Sequence, residues 1–131
     1  MVDRTNGKRF TLALRAAGLK VITLEDVWGK LPSQHIEDPA WIHYAAAHGM
    51  VGLTVDDAIR YPPNKQALVE SKLQVFCFPN GNLTWKVQVG RILSHLDRME
   101  RYIAEVPGAW LAKVYQHDVE IVWPPEVRTI R

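Results

Sequence analysis

Apolar and polar residues along this chain fall into blocks whose repeat switches between the period of a helix and that of a strand. Phe10, Ala13, Leu14 and Ala17 stand at i, i+3, i+4 and i+7. That is the stripe of an amphipathic helix over residues 7–17, closed by Gly18. Met1-Val2-Asp3 before it reads as a fragment of a strand, and Val21-Ile22-Thr23-Leu24 after it as a buried strand. Strand, helix, strand with short connections predicts a parallel pair and a right-handed crossover. Periodicity is then lost from Glu25 to Glu37, which predicts a long loop whose Glu25, Asp26 and Trp28 overhang one end of the sheet.

Asp38-Pro39 predicts a helix start, Asp as N-cap and Pro at N1. Trp41, Ile42, Ala45 and Ala46 trace its buried stripe up to Gly49. The run Val51-Gly52-Leu53-Thr54-Val55 reads as a buried strand delivering Asp56 and Asp57 to its far end. A short helix over 64–72, a strand over 75–78 and a turn at Pro79-Asn80-Gly81-Asn82 follow. Trp85, Val89, Ile92, Leu93, Leu96, Met99 and Ile103 predict one long helix from Thr84 to Glu105. The segments 110–115 and 119–123 are spaced as an antiparallel hairpin.

This alternation predicts an α/β fold, a three-layer α/β/α sandwich formed by residues 1–131 as a single domain. Two parallel strands end in carboxylates, Asp3 on the first and Asp56 on the third. They meet only if those strands are neighbours, since strands lie about 4.8 Å apart. That selects a mostly parallel central sheet of order 2-1-3-4 plus the C-terminal hairpin, with its ligand crevice between strands one and three.

Composition narrows the picture without deciding it. Hydrophobic residues make up 47% and charged residues 23% of the 131, ordinary for a globular protein. No apolar stretch approaches the ~20 residues of a membrane span, so no membrane association is expected. The lone cysteine, Cys77, lies in an apolar run and builds neither a disulfide nor a zinc site, which makes the expected location cytoplasmic. A net charge of +2 does not by itself argue for nucleic acid. No Gly-rich phosphate loop, nucleophile elbow or paired metal-binding histidines occur.

The chemistry on offer is therefore the acids. Asp3, Asp56 and, leaning from the start of its helix, Asp38 converge on one crevice. Carboxylates gathered there repel one another unless a cation compensates, and Mg²⁺ or Mn²⁺ is the hard, oxygen-seeking ion that suits them. Each acid also has a plain structural role open to it: Asp38 as a helix cap, Asp56 and Asp57 as turn caps, Asp3 as surface.

The segment from Asp38 to Asp56, DPAWIHYAAAHGMVGLTVD, resembles the acid–helix–Gly–strand–Thr-x-Asp signature of compact PIN-like domains. Asp3-Arg4-Thr5-Asn6-Gly7 is similar to their opening Asp-Arg-Ser-x-Gly, and the segments 18–29 and 81–84 match in order. The likeness is to the PIN-like domain of VapC-type toxins and covers about Asp3 to Trp123. It implies a Mg²⁺- or Mn²⁺-dependent ribonuclease in which Asp3, Asp38 and Asp56 are catalytic and hold the metal. Asp57 is carried over as a further metal ligand, although the family's second acid often stands at the position of Ala58. Thr54, Asn82, Thr84 and Asp26 take supporting places. The first strand is cut to Met1-Val2 and a fourth carboxylate is not evident, so a one-metal and a two-metal site both remain open.

The resemblance further implies an RNA substrate, with Arg4, Lys8, Arg9, Arg60 and Lys65 as phosphate contacts, and an antitoxin protein as partner. A homodimer is expected from the five tryptophans. The competing reading is a non-catalytic nucleic-acid- or partner-binding domain that keeps the fold.

Overall fold

The computed structural model describes residues 1–3, 6–80 and 82–127. Helix α1, Lys8–Ala16, follows Gly7, whose φ of 82° suits glycine. α2, Leu24–Trp28, and a 3-10 turn, Pro32–His35, occupy the stretch expected to be a loop. The reason is local. Thr23 accepts from the Asp26 amide while the Asp26 carboxylate accepts from the Thr23 amide, a capping box that nucleates a helix too short to show a hydrophobic period.

α3, Asp38–Ala47, leads to β1, Gly52–Thr54, then α4, Lys65–Ser71, and β2, Gln74–Cys77. α5, Trp85–Ser94, and α6, Leu96–Glu105, precede the hairpin of β3, Trp110–Val114, and β4, Val119–Trp123. The expected single helix over 84–105 is thus two, broken at His95. The break lies where His95 Nε2 approaches the Gln116 carbonyl at 3.0 Å and Arg91 donates to the Val114 carbonyl at 3.3 Å. These ties seat α5 and α6 separately against the sheet and hairpin.

The sheet runs β1-β2-β3-β4, parallel for the first two pairings and antiparallel for the last. The two expected N-terminal strands are reduced to single bridges: Val2 pairs in parallel with Thr23 on one side and Leu53 on the other. Each face of the sheet carries its own core. Phe76, Trp110, Ala112 and Val114 pack with Phe10 and Leu14 of α1, Ile92 of α5 and Tyr102 of α6. Val75, Cys77 and Leu111 pack with Trp41, Ile42 and Ala45 of α3 and Leu68 of α4. Successive strand residues thus enter opposite cores, as the period of two requires, which produces the α/β/α layering.

Gly52 is what lets α3 lie so close. A Cβ there would come within 3.2 Å of both the Trp41 ring and a Val75 methyl. Trp41 and Val75 are fully buried and have little room to yield. Among the described residues no helix is long and apolar enough to cross a membrane.

Candidate active site at the carboxyl edge of the sheet

Asp3 directly follows the Val2 bridge. Its amide donates to the Leu53 carbonyl at 2.9 Å, fixing it beside β1. It is only 5% exposed, so its carboxylate depends on protein donors. Thr54, fully buried, donates its hydroxyl to Asp3 Oδ2 at 3.0 Å. The Thr54 hydroxyl oxygen in turn accepts the Asp56 amide at 3.0 Å. One buried hydroxyl therefore couples Asp3 to the backbone of Asp56, and the Thr-x-Asp spacing exists to make that bridge. Asp56 is exposed and accepts the Ala58 amide at 3.0 Å, capping the 3-10 turn Asp57–Arg60.

Asp38 is placed differently from expectation. Glu37 is the N-cap of α3 and Asp38 its first residue. Its two carboxylate oxygens accept from Trp41 Nε1 at 2.9 Å and Asn64 Nδ2 at 2.7 Å, which ties α3 to the start of α4. Asp57 pairs with Lys113 Nζ at 3.0 Å and lies 3.9 Å from Arg60. Thr84 caps α5 by accepting the Val87 amide at 3.3 Å. The amide of Asn82 donates to the Asn80 side chain.

A cleft of about 590 Å³ opens beside Asp3, walled by α1 and the 23–34 segment. Lys8, Thr11, Arg15 and Lys30 line it together with Glu25 and Asp26. Asp26 accepts from Arg15 at 2.6 Å. Its carboxyl is held below its ordinary value, chiefly by the Thr23 amide, with the Thr23 hydroxyl and Arg15 adding to that against the opposing effect of burial. Cys77, beside Thr54 in register, has its thiol pushed up to about 12, by burial first and the Asp57 charge second. It is a buried apolar neighbour rather than a nucleophile.

Of the expected phosphate contacts, Lys8 faces the cleft, while Arg9 and Lys65 are exposed on α1 and α4. Arg60 is only 17% exposed in its side chain and stacks on Tyr61 at 5.0 Å. Arg4 lies outside the described residues. Sequence reasoning missed Asn64 and Lys113. A single lysine in the otherwise apolar strand WLAKV was the signal available for the second.

Among the described residues no three His, Cys, Asp or Glu side chains form a metal-holding group. The donor chemistry nonetheless suits Mg²⁺ or Mn²⁺. Asp3 and Asp56 are hard oxygen donors coupled through one hydroxyl, and Mg²⁺ is commonly held by one or two carboxylates with water and substrate phosphate completing its shell.

The model of a family described as PIN like domain matches residues 1–80. The chain belongs to this PIN-like family. Those residues contain Asp3, Thr54 and Asp56, the whole coupled set, and Asp38 as well. A relative is "Putative ribonuclease VapC45" of Mycobacterium tuberculosis (strain ATCC 25618 / H37Rv), 26% identical over 116 residues, which are 87% of this chain and 83% of that protein. The likeness is thus to a VapC-type PIN domain along most of its length. No solved structure matches the chain significantly.

Proposed function

We propose that this PIN-like chain is a divalent-metal-dependent endoribonuclease, the toxin of a toxin–antitoxin pair whose antitoxin is a separate protein. The observation that carries the reading is the Asp3–Thr54–Asp56 link, whose Asp3 lines a cleft large enough for part of an RNA strand. The similarity to a protein named as a ribonuclease supports the same reading.

Asp3 and Asp56 would hold Mg²⁺ or Mn²⁺, and a bound cation supplies charge stabilisation at the scissile phosphate and a more acidic water. The chain's own residues do the rest. Thr54 keeps the Asp3 carboxylate oriented, because its hydroxyl proton is committed to Oδ2. The exposed Asp56 carboxylate keeps one oxygen outside its turn-capping bond. Lys8, lining the cleft next to Asp3, attracts the phosphodiester backbone in a salt-dependent way. Asp38 holds the α3–α4 wall through Trp41 and Asn64.

Purified protein incubated with labelled single-stranded RNA and Mn²⁺ tests this. Asp56→Asn should slow cleavage at least ~100-fold; equal cleavage by that variant would sink the proposal. The second reading, a binding domain without turnover, is favoured by one observation: both Asp38 oxygens are already engaged by neutral donors.

A further inference from the structure

We infer that Lys113 serves as a fixed internal cation at the carboxyl edge of the sheet, so that the site takes one divalent ion and Asp57 is not among its ligands. The inference rests on the metal site of the proposed function and deepens it.

Register places the residues. Thr54 on β1 stands beside Cys77 on β2, and Cys77 beside Lys113 on β3. Three parallel strands thus deliver Thr54, Cys77 and Lys113 at one level, about 4.8 Å apart per strand. Every other residue of β3 is fully buried and apolar, so the one lysine is an exception to its strand. Its side chain is 17% exposed.

Glu120 lies directly opposite Lys113 on β4, yet the ammonium sits 3.0 Å from Asp57 Oδ2 instead. The Arg60 guanidinium, also 17% exposed, approaches the same oxygen at 3.9 Å. Two half-buried cations around one carboxylate leave a positive charge over. A divalent ion entering at Asp57 would have to displace Lys113 and then sit against two cations of its own sign. The adjacent Asp56 carries no such neighbour: its carboxylate accepts only the Ala58 amide among the described contacts. The consecutive acids are therefore divided, Asp56 to the metal and Asp57 to the lysine.

Mn²⁺ titration of the full chain, followed by loss of the free-ion paramagnetic resonance signal, tests the division. Wild type should bind one Mn²⁺ per chain. Asp57→Asn should also bind one, with affinity within about twofold, whereas Asp56→Asn should lose at least about tenfold. Lys113→Met, checked for folding by circular dichroism, should gain a second, weaker Mn²⁺, and Lys113→Arg should stay at one. Two Mn²⁺ on wild type, or a tenfold loss on Asp57→Asn, overturns the inference even if the methionine variant does not fold. One Mn²⁺ on both wild type and a folded Lys113→Met refutes the inference alone. No Mn²⁺ on wild type refutes the metal-dependent ribonuclease reading together with it.

Discussion

Replacing Thr54 by valine removes one hydroxyl and almost no volume, and the structure gives that hydroxyl two simultaneous duties. It donates to Asp3 Oδ2 at 3.0 Å and accepts from the Asp56 amide at 3.0 Å, at a position with no solvent exposure. Water cannot readily replace either bond there. A hydrogen bond to a charged group is worth about 1.5–3 kcal/mol and a neutral one about 0.5–1.5 kcal/mol. Thr54→Val should therefore cost about 2–4.5 kcal/mol. Thr54→Ser keeps the hydroxyl and loses only a buried methyl, for about 1 kcal/mol. Urea unfolding with unchanged slope separates the two, since a change in midpoint at constant slope is a change in stability. A valine variant as stable as wild type, or more stable than the serine variant, would refute the role given to the hydroxyl.

Three further outcomes follow from the same geometry. Cys77 should resist a thiol reagent at pH 8 in the folded protein and react fully in urea. Because its folded value lies near 12 against an ordinary 9, the unfolded thiol ionises first, so this group's contribution to stability falls as pH rises from about 9 toward 12. Asp26→Ala should lose the carboxylate half of the α2 capping box and its tie to Arg15, and cost about 1 kcal/mol at pH 7. The Asp26 carboxyl is depressed in the folded state, so that difference is full above the ordinary value near pH ~4 and shrinks as pH falls through the folded value, and paired urea melts at pH 7 and pH 3 should show a smaller difference at pH 3. Gly52→Ala should destabilise by about 1–3 kcal/mol by pressing on Trp41 and Val75, read as a lowered melting temperature.

What the sequence made legible was the part governed by periodicity. The α1 stripe, the buried runs at β1 and β2, and the hairpin of β3 and β4 all announce themselves by spacing. Elements set by a side chain bonding its own backbone did not. α2 depends on the Thr23–Asp26 box, and five residues carry too little hydrophobic pattern to be seen. The break at His95 depends on the Gln116 carbonyl, distant in sequence and unreadable without the fold. The site divides the same way. The tie of Asp56 to Thr54 is written in nearly consecutive residues, whereas the Asp3–Thr54 bond spans 51 residues and is reached only through the expected pairing of neighbouring strands. Asp38 drew attention as a helix-starting acid, but its tie to Asn64 spans 26 residues. The pairing of Asp57 with Lys113 crosses three strands, and only the lone charge in an apolar strand hinted at it.

In the proposed ribonuclease Asp3 serves turnover and not merely RNA capture. The most direct measurement follows cleavage of a labelled RNA with Mn²⁺ and, on the same Asp3→Asn protein, RNA binding in EDTA. The prediction is cleavage slowed at least ~100-fold with RNA affinity kept within about threefold, since the cations that attract phosphates are untouched. Undiminished cleavage by Asp3→Asn would contradict it.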